Sequence, residues 1–182
     1  VGATGDQASN EVAVSDDDSE DDRTSGLVAA AASGELATVE GLLAAAARED
    51  APVNPLVNEV SARGRTALMR SASHGHVEVV RALLDAPGID VNATSANGFT
   101  ALMRACGMRA DLSVAPTREG QDASAAQAGR AEVARALVAA GADVNAAHAF
   151  GLTALMCAAR LGHVGAVRAM LAAPGVDMNL VT

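Results

Sequence analysis

Apolar residues along the chain recur at the spacing of α-helices, in stretches too short for one long helix. Leu68 and Ala72 are four residues apart, which places them on one face of a helix. A second stretch has Val77, Val80 and Leu84 at the i, i+3 and i+7 positions of another helix, with charged residues between them. The pattern therefore predicts a pair of short helices, each with one apolar face.

Three phrases built around this helix pair return along the chain. The phrase Gly-x-Thr-Ala-Leu-Met occurs at residues 64–69, 98–103 and 151–156. A longer phrase that starts with Gly and contains Arg-Ala occurs at 75–84, 129–138 and 162–171. An Asp-Val-Asn or Asp-Met-Asn phrase closes each copy at 90–92, 143–145 and 177–179. Internal repetition of this kind is the signature of a repeat protein.

The period of the repeat divides the chain into units. Gly129 and Gly162 are 33 residues apart, and Gly64 and Gly98 are 34 apart. Two intervals between matching glycines are longer than this period. Their surplus residues fall at 48–56, which contains two prolines, and at 108–127, which is rich in Ala, Ser, Gln and Gly. The second stretch is predicted to be an inserted loop. We therefore predict an acidic tail at 1–23, a degenerate unit at 24–60, units at 61–94, 95–147 (with the insert) and 148–180, and the start of a further unit at 181–182.

Local signals mark where the first helix of each unit begins and ends. Thr66, Thr100 and Thr153 are suited to cap its start, because a threonine hydroxyl accepts from a free amide of the first turn. Glycine adopts the left-handed conformation cheaply, so Gly75, Gly129 and Gly162 are predicted to end it. Two short helices cannot bury their apolar faces alone, and stacked copies bury them against each other. An all-α solenoid follows.

The phrases in this order and register resemble ankyrin repeats over roughly residues 25–182. The resemblance implies stacked helix-turn-helix units joined by β-hairpin loops, with binding through the hairpin tips and the concave surface of the inner helices. The family's Thr-Pro-Leu-His is Thr-Ala-Leu-Met here, so Met69, Met103 and Met156 stand where the family has a hydrogen-bonding histidine. Methionine implies apolar, adaptable packing at those positions.

The family's turn aspartate is also replaced, and the last unit lacks a cap. Ser61, Ser95 and His148 stand three residues before the turn glycines, in the place of the aspartate. The final unit shows no polar capping helix, which leads us to expect that the natural protein continues beyond Thr182.

Composition narrows the function. Of the net charge of -9, residues 1–23 contribute most, with eight acids and one base, so the body is close to neutral. A basic stripe for nucleic acid is absent, and no apolar stretch is long enough to cross a membrane.

The pair His74 and His76 could suggest a metal, but His76 and His163 occupy a structural position of the family. Cys106 and Cys157 lack zinc-site spacing and are expected to be small buried hydrophobes. We predict no catalytic residue, cofactor, metal or small-molecule substrate.

Variable residues on the repeated frame are the candidates for partner contact. Phe99 follows one turn glycine and Phe150 precedes the next, and large apolar groups on projecting tips resemble interface anchors, although each ring could instead fold back on its neighbour's hairpin. The remaining candidates share the tip row or end the inner helices: Arg63, Arg65, Asn97 and Leu152 on the tips, and Ser73, His74, Arg160 and Leu161 at the helix ends. Arg81, Arg135 and Arg168 repeat on the outer helices, where a solvated face is the simpler interpretation.

The acidic block Ser15–Asp22 has no apolar pattern and is predicted to be disordered. Ser15 and Ser19 each precede three acids, which is the pattern that acidophilic kinases prefer, while a plain solubilising tail remains the alternative. The sequence as a whole predicts an intracellular scaffold, cytoplasmic or nuclear, that binds a partner protein. The alternative is the substrate-targeting segment of a larger enzyme, such as a kinase or ubiquitin ligase.

Overall fold

The computed structural model of the protein describes residues 25–46, 56–108 and 122–179, with side chains described from 128 onward in the last range. Within these ranges the chain forms eight helices and no strand, with isolated antiparallel bridges Val60–Thr66 and Ala147–Thr153. The helices are α1 (Gly26–Ser33), α2 (Leu36–Ala46), α3 (Ala67–His74), α4 (Val77–Leu84), α5 (Ala101–Ala105), α6 (Asp122–Ala139), α7 (Ala154–Arg160) and α8 (Val164–Leu171). The predicted all-α architecture is confirmed.

The helices stack in two rows. The first helices of the units pack in the order α1, α3, α5 and α7, and we call them the inner row. The second helices pack in the order α2, α4, α6 and α8, and form the outer row. Each inner helix also packs on the outer helix that follows it, so the core is a continuous layer between the rows.

Threonine hydroxyls begin three of the inner helices, as predicted. Thr66 Oγ1 accepts from the Met69 N–H at 3.2 Å, and the hydroxyls of Thr100 and Thr153 make the corresponding bond at 3.3 Å. Each threonine is buried and extended in backbone conformation, so its hydroxyl satisfies an amide that the helix cannot. The helix start is therefore encoded locally.

The end of α5 differs from the prediction. The left-handed glycine that follows it is Gly107, with φ of 80°, and Gly129 lies inside the long helix α6. Because α6 already begins at Asp122, the last part of the predicted 108–127 loop is helical, and the buried Met108 belongs to the repeat frame. The prediction that Gly129 ends an inner helix is wrong. A Cβ on it would lie 2.7 Å from the carbonyl oxygen of Gly75, so glycine is needed there for close approach between units.

The outer helices bury a different stripe from the predicted one. In α4 the buried residues are Val79, Val80 and Leu83, while Val77 and Leu84 are only half-buried. An outer helix contacts both its inner partner and its outer neighbours, so the buried face is wider than a single i, i+3, i+7 row.

Asparagines of the closing phrases connect successive units through their side chains. Each asparagine Oδ1 accepts, at 2.8 Å, from the backbone N–H of an aspartate in the next unit, and each Nδ2 donates to a glycine carbonyl there. The pairs are Asn58 with Asp90 and Gly88, Asn92 with Asp143 and Gly141, and Asn145 with Asp177 and Gly175. The closing phrase is therefore a connector between units, a role that the sequence analysis did not assign to it.

Four predicted segments lie wholly or partly outside the described residues: the acidic tail with Ser15 and Ser19, residues 48–55 of the surplus at 48–56, residues 109–121 of the insert, and residues 181–182.

Candidate partner-binding surface

Three hairpins of the same design precede α3, α5 and α7. In each, the first residue donates its N–H to the carbonyl of the fifth at 2.9–3.1 Å, and a left-handed glycine occupies the fourth position. These hairpins span residues 61–65, 95–99 and 148–152. Neighbouring hairpins are joined by long backbone bonds of 3.5 Å, from the Ala96 N–H to the Arg63 carbonyl, and 3.4 Å, from the Ala149 N–H to the Asn97 carbonyl.

The first side chain of each hairpin closes the turn from within. Ser61 and Ser95 accept through Oγ from the backbone N–H four residues on, at 3.3 and 3.2 Å. His148 does the same through Nδ1, which accepts from the N–H groups of Phe150 and Leu152 at 3.2 and 3.3 Å. All three side chains are buried, and each accepts backbone hydrogen bonds within its own turn, whereas His148 Nε2 is buried without a hydrogen-bond partner in the described part of the chain.

Position relative to the turn glycine decides which hairpin side chains reach solvent. The residue before the glycine is exposed in every hairpin: Arg63, Asn97 and Phe150, the last with 68% of its surface accessible. The residue after the glycine turns inward. Phe99 is 1% exposed and Arg65 is 8% exposed, while Leu152 is half-buried.

The expectation that Arg65 projects from the tip is therefore wrong, and so is the interpretation of Phe99 as a projecting anchor. For Phe99 the alternative is confirmed, because its ring folds back on the neighbouring hairpin. The Phe99 ring lies edge-on to the His148 ring, with centroids 5.0 Å apart, and the Arg104 guanidinium stacks 4.6 Å from its centre. Phe99 is part of the core beneath the hairpin, and its ring is not accessible to a partner.

His148 also contacts the exposed ring. The centroids of His148 and Phe150 are 5.5 Å apart in an edge-to-face arrangement. One imidazole thus lies between a buried phenylalanine and an exposed one, and it contacts both. Sequence reasoning noted that His148 replaces an aspartate, but it did not identify this packing role.

Three of the four candidate residues that end the inner helices are less exposed than the tips. Ser73 Oγ donates to the Arg70 carbonyl at 2.8 Å, and His74 stacks on His76 with centroids 5.6 Å apart, so both Ser73 and His74 are half-buried. At the end of α7, Arg160 is exposed and Leu161 is half-buried. The structure brings these four residues to the inner row and the tip residues to the hairpins.

A family model described as ankyrin repeats in three copies matches residues 27–114 and 123–182. The chain belongs to the ankyrin-repeat family. Ankyrin repeats generally act as protein–protein interaction modules. In the described part of the chain, no helix is both long and apolar enough to cross a membrane.

The family's glycine-histidine positions are structural in this ankyrin-repeat chain. His76 Nε2 lies 3.1 Å from the carbonyl oxygen of Ala32 in the preceding unit, and His163 bonds the Cys106 backbone in the same way. A Cβ on Gly34 would lie 2.8 Å from the His76 ring, so the turn glycine leaves room for the imidazole. Burial, with the nearby Arg130 guanidinium, lowers the pKa of His163 despite its backbone bond.

The methionines that replace the family's histidine pack as apolar residues. Met69 and Met103 are almost fully buried, and Met156 is half-buried. The two cysteines are buried free thiols, as predicted. Burial raises the pKa of Cys106 to about 12 and also raises that of Cys157, so neither thiol is primed as a nucleophile. In the described ranges, no group of three potential metal ligands lies together.

Two arginines of the outer row form ion pairs with the same glutamate. Arg81 Nη2 lies 2.9 Å from Glu132, and Arg135 forms a second ion pair with the same carboxylate. The hydrogen bond and charge of Arg135, followed by those of Arg81, lower the pKa of Glu132. Arg168 is exposed on α8. The predicted arginine row thus includes a glutamate between its first two members, and it agrees with a solvated face.

Proposed function

We propose that this ankyrin-repeat chain binds a partner protein through its hairpin tips and the adjoining inner-row surface, without catalysing a reaction itself. The observation that carries the proposal is the exposure of Phe150. A large aromatic ring that is two-thirds accessible on an internally bonded hairpin has the character of an interface anchor.

The exposed residues define the contact set. We assign direct contact to Arg63, Asn97 and Phe150 on the tips and to Arg160 and Leu161 at the end of α7. Of the other candidates, Ser73, His74 and Leu152 form the partly accessible floor of the surface, and the buried Phe99 and Arg65 support it from below. Arginine and aromatic residues are the types that most often dominate binding energy.

Affinity capture with the whole chain as bait tests this proposal. Phe150→Ala is expected to reduce recovery of specifically bound proteins at least tenfold, because truncating an interface anchor typically costs about 2 kcal/mol or more. Leu171→Ala is the matched control, since it removes an exposed apolar side chain from the outer row. Equal recovery with Phe150→Ala and the unmodified chain would exclude the tips as the binding site.

The same surface would also suit a segment that delivers substrates to a catalytic domain. Captured proteins that become modified only when the bait is expressed within a longer polypeptide would favour that alternative. Capture without modification favours a scaffold. We place either form inside the cell, in the cytoplasm or nucleus, in keeping with two reduced, buried cysteines.

A further inference from the structure

Four repeat positions are less buried in the unit of α7 and α8 than in the units before it. These positions hold Leu155, Met156 and Ala159 on α7 and Val167 on α8, of which Ala159 is exposed and the other three are half-buried. The residues at the same positions of the three earlier units are all buried: Leu27, Leu68 and Leu102; Val28, Met69 and Met103; Ala31, Ala72 and Ala105; Val39, Val80 and Ala134. Each earlier unit packs against a following one, so these are the positions that a following unit covers.

The closing phrase of the same unit is open in the same way. Met178 is 72% exposed, whereas Val144, at the same position of the preceding unit, is 7% exposed. Asn179 holds the position of the connector asparagines. Among the described residues its side-chain amide bonds no backbone group, while that of Asn145 bonds two in the unit that follows. We call these two residues and the four helical ones the α7–α8 face, because together they are the groups that join one unit to the next.

The opposite side of the stack has a matching open surface. Gly26 on α1 and Thr38 on α2 are exposed. The residues at their positions in the later units are buried: Ala67, Ala101 and Ala154 for Gly26, and Val79, Val133 and Ala166 for Thr38. Each later unit packs against a preceding one, so these are the positions that a preceding unit covers. This α1–α2 face, which Gly26 and Thr38 define, therefore has the register needed to receive an α7–α8 face.

The two ends of the stack also differ in charge. Residues 1–50 contain twelve acids and two arginines, whereas residues 144–182 contain two arginines and one aspartate. In the described part of the chain, Glu40 is exposed on α2, and Arg160 and Arg168 are exposed at the ends of α7 and on α8. Such charges favour contact between unlike ends and oppose contact between two like ends.

An ion pair inside the stack shows how these charges can meet. Arg81 on α4 reaches Glu132 on the outer helix of the following unit, at 2.9 Å. Arg168 holds the position of Arg81 in its own unit, and it has no ion pair within the described ranges. An outer helix that bears a carboxylate, as α2 bears Glu40, would supply the missing partner.

We propose that the α7–α8 face of one copy of this chain docks on the α1–α2 face of a second copy, so that both helical rows continue from one molecule into the next. Because the two faces differ, the contact is heterologous and does not close on itself, and it builds linear chains of copies. The inference goes beyond the proposed function, since it uses the ends of the stack and not the hairpin tips.

Analytical ultracentrifugation of the 182-residue chain tests the proposal. The weight-average mass is expected to rise above that of a single copy as the concentration approaches about 1 mM, the range in which weak contacts form. Circular dichroism of the variants described next checks that each one remains folded.

Two substitutions block one face each. Ala159→Glu puts a carboxylate on the α7–α8 face, and Thr38→Arg puts a guanidinium on the α1–α2 face. Both positions are exposed, and the Thr38 hydroxyl makes only an exposed hydrogen bond to Glu35, so the fold should be retained. Each variant alone is expected to associate roughly tenfold more weakly or less, because docking would bury an unpaired charge.

Mixing the two variants is the decisive measurement. Ala159→Glu retains the α1–α2 face and Thr38→Arg retains the α7–α8 face, so an equimolar mixture should form pairs of one copy of each and nothing larger. Ala139→Glu is the matched control. It places the same charge at an exposed position at the end of α6, outside both faces, and should associate as the unmodified chain does.

Three outcomes overturn the proposal. If the unmodified chain remains a single copy at every concentration, the α7–α8 face takes a different occupant, such as a further ankyrin unit. If Thr38→Arg alone associates as strongly as the unmodified chain, or the mixed variants form no pairs, the two faces do not bind each other. If Ala139→Glu weakens association as much as Ala159→Glu, the contact does not use the ends of the stack. No partner protein is present, so failure here is distinct from failure of the Phe150 capture experiment.

Discussion

Replacing each phenylalanine by alanine should separate the hairpin's foundation from its binding tip. Phe99 is 1% exposed and contacts the His148 ring and the Arg104 guanidinium. Phe99→Ala removes a fully buried ring and leaves a cavity, a change that costs about 3–5 kcal/mol in protein cores. For a domain whose total stability is about 5–15 kcal/mol, this is about a fifth of the stability or more.

Phe150→Ala is the matched comparison on the same type of hairpin. About a third of the Phe150 surface is covered, and the ring makes an edge contact with His148 of a kind worth about 0.5–1.5 kcal/mol. We therefore expect a loss of about 0.5–1.5 kcal/mol in stability. The large effect of Phe150→Ala should appear in partner capture.

Urea denaturation measures both losses. The chain has no tryptophan or tyrosine, so far-ultraviolet circular dichroism of the helices is the appropriate signal. The free energy of unfolding and its dependence on urea are compared for both variants and the unmodified chain. Equal losses for the two substitutions, or a larger one for Phe150→Ala, would refute the assignment of Phe99 to the core and Phe150 to the tip.

Three further predictions concern contacts between units, all measured by urea denaturation. Asn145→Ala removes two hydrogen bonds of 2.8 Å and should cost about 1–3 kcal/mol; a loss below about 0.5 would mean that water replaces them fully. Gly129→Ala should destabilise the chain by about 1–3 kcal/mol, because the added Cβ would clash with the Gly75 carbonyl. Gly41→Ala, at an open helical position, should instead stabilise the chain by about 0.5–1 kcal/mol. A change of the same sign for both variants would contradict the clash. Burial lowers the pKa of His163 in the folded chain below its value in the unfolded chain. As the pH drops below about 6.5, the unfolded chain therefore binds a proton at this position before the folded chain does, and the free energy of unfolding falls. His163→Gln should reduce that fall, and an unchanged pH profile would exclude His163 as its source.

Local signals in the sequence were sufficient for the helix starts but not for every helix end. A threonine cap depends on atoms three residues away, so Thr66, Thr100 and Thr153 could be identified from the phrase alone. The end of α5 depends on where the inserted residues join the frame. The phrase that contains Gly129 keeps its register in α6, yet the turn has moved to Gly107. Repetition in the sequence preserved the alignment there and concealed the change in backbone conformation.

The tip residues show what the repeated phrase alone could not settle. Phe99 and Phe150 lie on opposite sides of their turn glycines, at positions two residues apart, and the alternation of extended backbone would put two such positions on the same face. The left-handed glycine between the two positions breaks that alternation, and in the structure one ring is buried and the other is exposed. The asparagine connectors are different, because the repeated phrase identifies the residue but its bonding atoms belong to the backbone of the next unit. The stacking of successive units brings the asparagine side chain within hydrogen-bond distance of that backbone.

The replacement at position 148 links architecture to binding. A serine at this position, as in the first two hairpins, closes the turn with one hydroxyl and extends no further. His148 closes the turn with Nδ1 and uses the rest of its ring to join Phe99 below to Phe150 above. A ring held by such a contact loses less side-chain freedom when a partner covers it, which lowers the entropic cost of binding. The hairpin that carries the exposed aromatic ring is therefore also the one whose turn residue contacts that ring and can hold it in place.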